Sequence, residues 1–419
     1  MDHFLHKNRE AYCEDVPLRR IAEAVGTPAY VYSSATLERH CSQLKSVFST
    51  SSALFCYAVK ANSNLSLLRK IFKEGFGADV VSIGELERCL LAGAKPKTIV
   101  FSGVGKTDSE IERALDLDIL SFNVESFFEL ENLNRIASHK KKQAVISLRL
   151  NPDIDAKTHP KIATGLHSTK FGIAITHLPL FLDYIRKNSK QLNLLGLACH
   201  IGSQLTDLQP ITDAAQKMVG LSLSVRNQGF PIRVLNLGGG LGIRYIDENP
   251  PKLVDYAQAL QTITETSGLQ LILEPGRVLV GNAGILLTRV LGIKETPLKK
   301  FAVVDAAMND LIRPSLYGSL HEICVATELS HPQKETYDIV GPICETGDFL
   351  GKDQELPQLK AQDLLFVRSC GAYASSMASN YNSRPKAAEV LVEGSQFRLI
   401  KSRQILTDLW IDELKALSD

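Results

Sequence analysis

The sequence has almost no excess of charge of either sign, since 47 Lys and Arg residues are balanced by 46 Asp and Glu residues. This balance excludes a general electrostatic attraction to nucleic acid or to an anionic membrane. The sequence also lacks an uncharged apolar run of the roughly 18 residues that a membrane-spanning helix needs. The opening segment MDHFLHKNRE carries both signs of charge, and no apolar stretch of the kind found in secretory signals follows it. We therefore expect a cytoplasmic protein that binds neither nucleic acid nor membranes.

Cysteine pairs at metal-binding spacing are missing as well. The eight cysteines are scattered with no CxxC pair, which is typical of neither a zinc site nor a disulfide-rich scaffold. We therefore expect no metal site. With 419 residues, 44% of them hydrophobic and 22% charged, the composition is that of an ordinary globular protein. Its length suits roughly two to three domains.

Short β-branched runs alternate with segments of helical periodicity from about residue 53 to residue 276. The eight candidate strands cover residues 53–59, 78–82, 98–102, 119–124, 144–150, 194–200, 233–238 and 269–274. Helices are predicted at residues 64–75, 82–93, 126–139 and 210–229. This α/β pattern of eight strand and helix units predicts a (β/α)8 barrel, with an open doubly wound sheet as the alternative.

After about residue 280 the pattern changes to closely spaced strands. They are predicted at residues 284–293, 300–306, 337–342, 363–369 and 387–400. We expect an all-β second domain of sandwich or barrel type, to which residues 27–33 contribute a strand. The predicted boundaries are 33–282 for the barrel and 283–419 for the β domain, joined by the N-terminal segment 1–32.

Polar and glycine-rich residues follow the predicted barrel strands at the ends where such a barrel holds its active site. They lie at or just beyond the strand ends: Lys60 at the first strand, His200 and Ser203 at the sixth, Gly238, Gly239 and Gly240 at the seventh, and Glu274, Gly276 and Arg277 at the eighth. One polar strand end would mean little. Several polar strand ends that converge at the same end of the barrel predict an active site.

Each of these residues allows a chemical and a structural interpretation. Lys60 can supply an amine for Schiff-base chemistry, or extend from a strand edge to water. The glycine run can bind a phosphate through its N–H groups, or form a tight turn. Glu274 can keep a ring nitrogen protonated while Arg277 binds an anion, or the two can form a salt-bridged turn. His200 can stack on a cofactor, or lie in the core.

Together, an amine, a phosphate cradle, a carboxylate for a pyridine nitrogen and a stacking ring are what pyridoxal 5′-phosphate (PLP) requires. The run NLGGGLGI (236–243) is not a dinucleotide fingerprint, because no acidic residue follows a second strand about 20 residues later. A nicotinamide cofactor is therefore excluded.

Over roughly residues 25–412, the sequence resembles the fold-type III, alanine-racemase-like PLP decarboxylases, and more closely the diaminopimelate decarboxylases. The resemblance is carried by YAVKAN (57–62), NPDIDAKTHPKIATG (151–165), KFGI (170–173), HIGSQ (200–204), NLGGGLGI (236–243), EPGR (274–277), MNDLIRPSLYGSLHEI (308–323), GPICETGDFL (341–350) and GAYASSMASNYNSRP (371–385). It implies a barrel plus a β domain, a homodimer with shared active sites, and decarboxylation of meso-2,6-diaminopimelate to L-lysine and CO2. Ala374 departs from the pattern, since glycine is more common there.

The resemblance also implies residue roles. The cofactor would be held by Lys60 as the Schiff-base lysine, His200 stacked on the ring, Glu274 on the pyridine nitrogen, and Ser203, Gly238, Gly239, Gly240, Gly276, Arg277 and Tyr373 around the phosphate. The substrate would be bound by Arg277, Arg313, Tyr317, Glu345 and Tyr373. Cys344 would reach in with Glu345 from the partner protomer and reprotonate the substrate as the general acid. The structural alternative for Cys344 is a buried thiol.

Three other functions share part of this pattern. A PLP decarboxylase of D-lysine, D-ornithine, L-ornithine or carboxynorspermidine would keep the cofactor residues but change the distal ligands, which makes Arg313 the discriminating residue. A racemase would need a tyrosine base opposite Lys60. A non-catalytic PLP-binding regulator would have no reason to retain both Lys60 and Cys344.

Overall fold

The computed structural model describes residues 3–155, 169–328 and 333–417. Residues 156–165 of the NPDIDAKTHPKIATG motif lie outside the described residues. The chain divides into two compact units. The unit that we call the β unit comprises residues 1–39, 244–248 and 279–419, and the barrel unit comprises residues 40–243 and 249–278.

The N-terminal elements belong mainly to the β unit. They are β1 (Phe4–Lys7), β2 (Glu10–Cys13), β3 (Val16–Pro17), α1 (Leu18–Val25) and β4 (Ala29–Ser33), after which α2 (Ser34–Val47) leads into the barrel unit. Strands β1 to β3 form a small antiparallel sheet. Leu18 and Ile21 of α1 are fully buried in one apolar cluster with Val31 of β4. This cluster anchors the N-terminal segment.

The barrel unit contains a closed ring of eight parallel strands. The ring strands are β5 (Leu54–Ala58), β6 (Gly77–Val80), β7 (Ile99–Phe101), β8 (Ser121–Val124), β9 (Ala144–Asn151), β11 (Leu192–Ala198), β12 (Val234–Asn236) and β13 (Gln270–Leu273), and the two-residue β10 (Ile173–Ala174) pairs beside β9. The ring closes because β13 pairs with β5 and β8 pairs with β9. The predicted (β/α)8 barrel is therefore confirmed, and the open-sheet alternative is wrong.

Helices alternate with the barrel strands. They are α3 (Leu65–Lys73), α4 (Ile83–Ala92), α5 (Asp108–Asp116), α6 (Phe127–Lys140), α7 (Leu178–Lys187), α8 (Gln209–Asn227) and α9 (Leu253–Glu265). The side chains of Asn64, Ser82, Thr107 and Ser126 cap α3, α4, α5 and α6 by accepting backbone N–H groups of the first turn. These caps end the segments between strand and helix and hold them close to the carboxyl ends of the strands, where the predicted site residues lie.

The β unit continues after α10 (Arg277–Val280). Its remaining elements are β14 (Gly284–Glu295), β15 (Lys300–Val304), α11 (Arg313–Tyr317), β16 (Ile323–Val325), β17 (Lys334–Val340), β18 (Phe349–Pro357), β19 (Leu364–Val367), β20 (Ala388–Glu393), β21 (Gln396–Lys401) and α12 (Ile411–Ala416). Seven strands lie in the order β18-β17-β15-β14-β4-β20-β21, and β19 pairs with β14 and β16. The predicted strand at 27–33 is confirmed, because β4 pairs with both β14 and β20.

Two details of the predicted β domain need correction. The strand predicted over residues 387–400 is a hairpin of β20 and β21, because Gly394 takes a φ of +61° in the turn between them. Strands β16 and β18 were not predicted. Within the described ranges, no helix combines the length and the apolarity that a membrane crossing needs.

Candidate active site

A cavity of 320 Å³ opens at the carboxyl ends of the barrel strands. Seven of the eight ring strands contribute to its wall, through Lys60, Val81, Ser102, Gly103, Val104, Asn123, Arg149, Ala198, Cys199, His200 and Glu274, with Lys170 and Phe171 beside β10. Its volume lies at the lower end of the range of about 300 to 1,000 Å³ that is usual for small-molecule sites. Three of the predicted residues, Lys60, His200 and Glu274, therefore meet at one cavity.

Lys60 lies in a single 3-10 turn, residues Val59–Ala61, directly after β5. Its Nζ atom is 2.9 Å from Oδ2 of Asp79, a residue of β6 whose side chain is fully buried, while 37% of the lysine side chain is exposed. A buried carboxylate is costly unless a cation compensates it. The second oxygen of Asp79, Oδ1, is also buried and accepts no hydrogen bond from the described residues. Lys60 is thus held at the cavity wall by an acid in the strand next to its own.

Glu274 follows β13 and is 8% exposed. Its Oε1 atom accepts two amide hydrogen bonds, from Asn236 at 2.7 Å and from Asn123 at 3.2 Å. Burial raises the pKa of Glu274 to about 7, the Asp79 carboxylate adds to the rise, and Lys60 opposes it. A carboxyl group in this setting exchanges a proton easily near neutral pH, and it stabilises a positive N–H group placed against it.

His200 follows β11, two residues after its last residue. The backbone N–H of Gly239 donates to Nδ1 of the ring at 3.3 Å, so in the neutral ring the proton is on Nε2. Burial lowers the pKa of His200 well below its usual range, and the cations of Arg149 and Lys60 lower it further. The ring is therefore neutral at physiological pH, and the cavity wall carries no charge at this residue.

The glycine run after β12 is packed too tightly for side chains. A Cβ atom on Gly239 would lie 2.1 Å from the carbonyl oxygen of Glu274, and one on Gly240 would lie 2.3 Å from that of Gly202. Gly238 and Gly240 also have φ values of +67° and +109°, which favour glycine. Because its residues lack side chains, the glycine run packs directly against the backbone of the segments that follow β11 and β13.

The sequence predicts that the N–H groups of the glycine run are available to bind a phosphate, but two of them already donate hydrogen bonds within the chain. The N–H of Gly238 donates to Oδ1 of Asn236 at 2.8 Å, and that of Gly239 donates to His200. Beside the run, Nη2 of the buried Arg277 donates to Oγ of Ser203 at 2.8 Å. A guanidinium and a hydroxyl next to a glycine loop form a suitable donor set for a phosphate. Gly276 packs against the segment that carries Lys60, because a Cβ on it would lie 3.1 Å from that of Ala58 and 3.2 Å from that of Ala61.

These features fit PLP. A lysine amine, a neutral ring, a carboxyl group that titrates near neutral pH and an anion-binding donor set lie around or beside one cavity. Each matches one part of the cofactor: its aldehyde, its ring face, its pyridine nitrogen and its phosphate.

Several residues of the site were not predicted to belong to it. Asp79 holds Lys60, while Asn123 and Asn236 hold Glu274. Their sequence signal is a carboxylate or amide side chain within a short strand that is buried along its whole length. Such a residue needs an internal partner, and this requirement could have revealed them.

Arg149 at the cavity wall is fixed by a buried acid. Its Nη1 atom lies 2.9 Å from Oε1 of Glu125, and its guanidinium lies over the ring of Phe171 at 5.1 Å. Glu125 also accepts the backbone N–H groups of Gly103 at 2.8 Å and Gly172 at 3.2 Å. One carboxylate therefore connects three segments next to the cavity.

The other predicted site residues lie in the β unit. Arg313 and Tyr317 lie at the two ends of α11, and the Arg313 guanidinium is 5.8 Å from the Tyr317 ring. Tyr373 is half-buried and has a φ of +55°. Glu345 is exposed and accepts a hydrogen bond from Tyr381 at 2.5 Å. All eight cysteines are described, and Cys344 is the one among them that is exposed. The alternative of a thiol buried within the chain is therefore wrong.

Comparisons with known proteins identify the family. Residues 34–281 match the family model described as "Pyridoxal-dependent decarboxylase, pyridoxal binding domain". A diaminopimelate decarboxylase of Vibrio cholerae is 49% identical over 98% of both chains, and one of Neisseria meningitidis serogroup A is 50% identical over 97% of this chain and 99% of the relative. The crystal structure of the Helicobacter pylori diaminopimelate decarboxylase complexed with L-lysine has a TM-score of 0.92 and 44% identity, and the match covers 95% of this chain and all of that one. The chain therefore belongs to the diaminopimelate decarboxylase family of pyridoxal-dependent decarboxylases.

Proposed function

We propose that this protein is a PLP-dependent enzyme that decarboxylates meso-2,6-diaminopimelate to L-lysine and CO2, the last step of lysine biosynthesis. The observation that carries the proposal is the meeting of Lys60, His200 and Glu274 at one barrel cavity, in a chain about half identical to decarboxylases of that name over nearly its whole length. We also propose a cytoplasmic location and a homodimer with shared active sites.

In this proposal, the barrel unit holds the cofactor. With PLP bound, Lys60 would hold the aldehyde carbon through Nζ, His200 would pack against the cofactor ring, and Glu274 would serve the pyridine nitrogen. Its phosphate would be held by residues of the barrel unit together with Tyr373 of the β unit. Those of the barrel unit are Ser203, Gly238, Gly239, Gly240, Gly276 and Arg277. When bound, PLP supplies an electron sink for the bonding electrons that remain when a carboxylate leaves as CO2.

The chain's own residues control the protons of this reaction. Glu274 stabilises a proton on the facing nitrogen, because a buried carboxylate interacts strongly with an adjacent cation. Asp79 accepts a hydrogen bond from Lys60 and orients the amine at the cavity wall. His200 stays neutral, so it places no charge next to the ring of the cofactor. Cys344 donates the proton that replaces the lost carboxylate on the α-carbon, as a general acid contributed by the partner protomer.

Substrate choice depends on the amino acid centre that does not react. The product L-lysine retains the L centre of meso-diaminopimelate, so the carboxylate must leave from the D centre. The retained carboxylate needs cationic and hydroxyl ligands, and the retained ammonium needs an anion. We assign the first role to Arg277, Arg313, Tyr317 and Tyr373, and the second to Glu345.

The test is a substrate panel. Purified protein with PLP is supplied in parallel with meso-diaminopimelate, its L,L isomer, L-ornithine, D-ornithine, L-lysine and D-lysine, and CO2 and the amine product are quantified. The L,L isomer is the matched control, because it has the same groups but no D centre. We expect L-lysine from the meso isomer alone. CO2 from another diamino acid instead would refute the substrate assignment, and no CO2 from any of them would refute the decarboxylase activity.

A further inference from the structure

Arg313 of the β unit is a buried cation that contacts an imidazole, a hydroxyl and a tyrosine ring. The residue is 5% exposed. Its Nε atom donates to Nε2 of His321 at 3.3 Å, and its Nη2 atom donates to Oγ of Ser319 at 3.2 Å. The ring of Tyr245 lies 5.0 Å from the guanidinium carbon. These contacts hold the guanidinium without a carboxylate among them.

His321 can act as an acceptor because of its own second contact. Its Nδ1 atom lies 2.9 Å from the carbonyl oxygen of Arg368. A carbonyl oxygen only accepts, so Nδ1 carries the proton and Nε2 offers its lone pair to Arg313. The ring is 2% exposed, and Tyr245 packs against it edge-on with 5.0 Å between the ring centroids. Both the position and the tautomer of His321 are therefore fixed.

A neutral hydrogen-bond acceptor such as the His321 imidazole affects the charge of the Arg313 guanidinium differently from a carboxylate. The guanidinium is planar and rigid, so fixing Nε and Nη2 fixes the direction of every N–H group in it. A carboxylate in the place of His321 would do the same but would neutralise the charge. The imidazole, the hydroxyl and the tyrosine face orient the cation, and none of these three groups carries a negative charge of its own.

We propose that His321 is a positioning residue for Arg313 and thereby sets the preference of the enzyme for ligands that retain a carboxylate at the non-reacting centre. The proposal rests on the proposed function, in which Arg313 binds that carboxylate. It goes further because it assigns the orientation of the arginine to one histidine that does not itself contact the substrate.

The test uses two substitutions that separate the two nitrogens of the imidazole. In His321→Asn, the shorter amide reaches the Arg368 carbonyl but not Nε of Arg313. In His321→Gln, the longer side chain places a carbonyl oxygen near the position of Nε2. The binding of L-lysine and of cadaverine to the holoenzyme is measured by titration calorimetry, together with kcat and KM for meso-diaminopimelate. Cadaverine is L-lysine without its carboxylate, so the pair isolates that group.

We expect His321→Asn to weaken L-lysine binding and to raise KM by about tenfold, the effect of losing one hydrogen bond to a charged group. We expect kcat within about threefold of the wild type and cadaverine binding unchanged, because neither depends on the retained carboxylate. His321→Gln should restore most of the loss. Thermal unfolding of each holoenzyme shows whether the fold is retained. Should the Asn variant not fold, Ser319→Ala removes the second contact at a half-buried position and should weaken L-lysine but not cadaverine binding.

Two outcomes would overturn the proposal. Unchanged L-lysine binding in His321→Asn would show that the histidine does not position Arg313, and equal weakening of L-lysine and cadaverine would indicate a general structural role. Arg313→Lys separates this failure from a failure of the proposed function. If that variant weakens L-lysine selectively while His321→Asn does not, the carboxylate role of Arg313 stands and only the positioning role is wrong. Absence of turnover of meso-diaminopimelate by the wild type would instead refute the proposed function.

Discussion

Glu274 is surrounded by groups that act on its proton in opposite directions. Burial is the largest influence and raises its pKa, and the negative charge of Asp79 acts in the same direction. Lys60 and the Asn236 amide lower the pKa, but the balance still leaves it at about 7, above the ordinary value of 4.5. The folded chain therefore holds a proton on Glu274 over a pH range in which the unfolded chain has lost it.

Glu274→Gln should change how the stability of the cofactor-free protein depends on pH. A raised pKa favours folding below about pH 4.5, and this contribution is lost as the pH rises through about 7. The amide does not titrate, and its carbonyl oxygen can still accept from Asn123 and Asn236. The free energy of unfolding of the variant, relative to the wild type, should therefore improve by up to about 3 kcal/mol between about pH 5 and about pH 8. Urea unfolding at both pH values measures it, and an equal difference at both would contradict the raised pKa.

At the scale of residues, the sequence reveals the groups that carry chemistry better than the groups that hold them. Lys60, His200 and Glu274 could be predicted because they follow strands, where a barrel exposes side chains to its active site. Asp79 and Asn236 lie within strands that are buried along their whole length. From the sequence alone, a polar residue in such a strand has no visible partner, because that partner comes from a neighbouring strand distant in the chain.

The glycine run after β12 illustrates a constraint on a whole connecting segment. Its glycines are needed where the segment passes between the carbonyl groups that follow β11 and β13. Gly239 is the most informative position, because its φ is not positive and only the lack of space excludes a side chain. The clash of a Cβ there would be with the backbone of Glu274, which moves at a higher cost than a side chain does.

Gly239→Ala should destabilise the protein by about 1 to 3 kcal/mol, the usual cost of overpacking. It should also weaken PLP binding, because the same segment supports His200. Gly220→Ala is the matched control. Gly220 is exposed inside α8, and a Cβ there meets nothing within 4 Å. The control should stabilise the protein by about 0.5 to 1 kcal/mol, since alanine favours a helix interior. Urea unfolding of both variants is the measurement, and a Gly239→Ala variant as stable as the wild type would refute the packing argument.

At the scale of elements, the barrel strands were easier to predict than the strands of the β unit. A parallel strand buried on both faces is a continuous apolar run, which contrasts with the helices around it. Strand β18 contains Lys352, Asp353 and Glu355, and its alternation of exposed and buried residues is weak. Among the described strands, β18 pairs with β17 and lies at the end of its sheet, so that one of its edges has no paired strand and polar residues are tolerated there. The sequence of such an edge strand is hard to distinguish from that of a loop.

At the scale of the whole molecule, the residues proposed for one reaction are divided between two units. Lys60 and Glu274 belong to the barrel unit, whereas Cys344 and Glu345 lie on the surface of the β unit. An exposed thiol can serve as a general acid for a buried carbon only if another surface covers it. The proposed homodimer meets this requirement if Cys344 of one protomer serves the cavity of its partner. The sequence could not settle this arrangement from its own patterns, because an interface between copies leaves no periodicity in the chain.

Mixing two inactive variants tests the shared site directly. Lys60→Ala and Cys344→Ala proteins are each expected to be inactive or nearly so, and are combined in equal amounts and allowed to exchange subunits. If Lys60 of one protomer works with Cys344 of the other, each mixed dimer holds one intact site and one doubly altered site, so about a quarter of the wild-type activity should return. Lys60→Ala mixed with Glu274→Ala is the matched control, because both residues belong to the barrel unit and no intact site can form. Mixed dimers are verified by two different affinity tags. Verified mixed dimers of the first pair without recovery would show that each site is built from a single chain. Recovery in the control as well would show that the regained activity does not come from combining Lys60 of one protomer with Cys344 of the other.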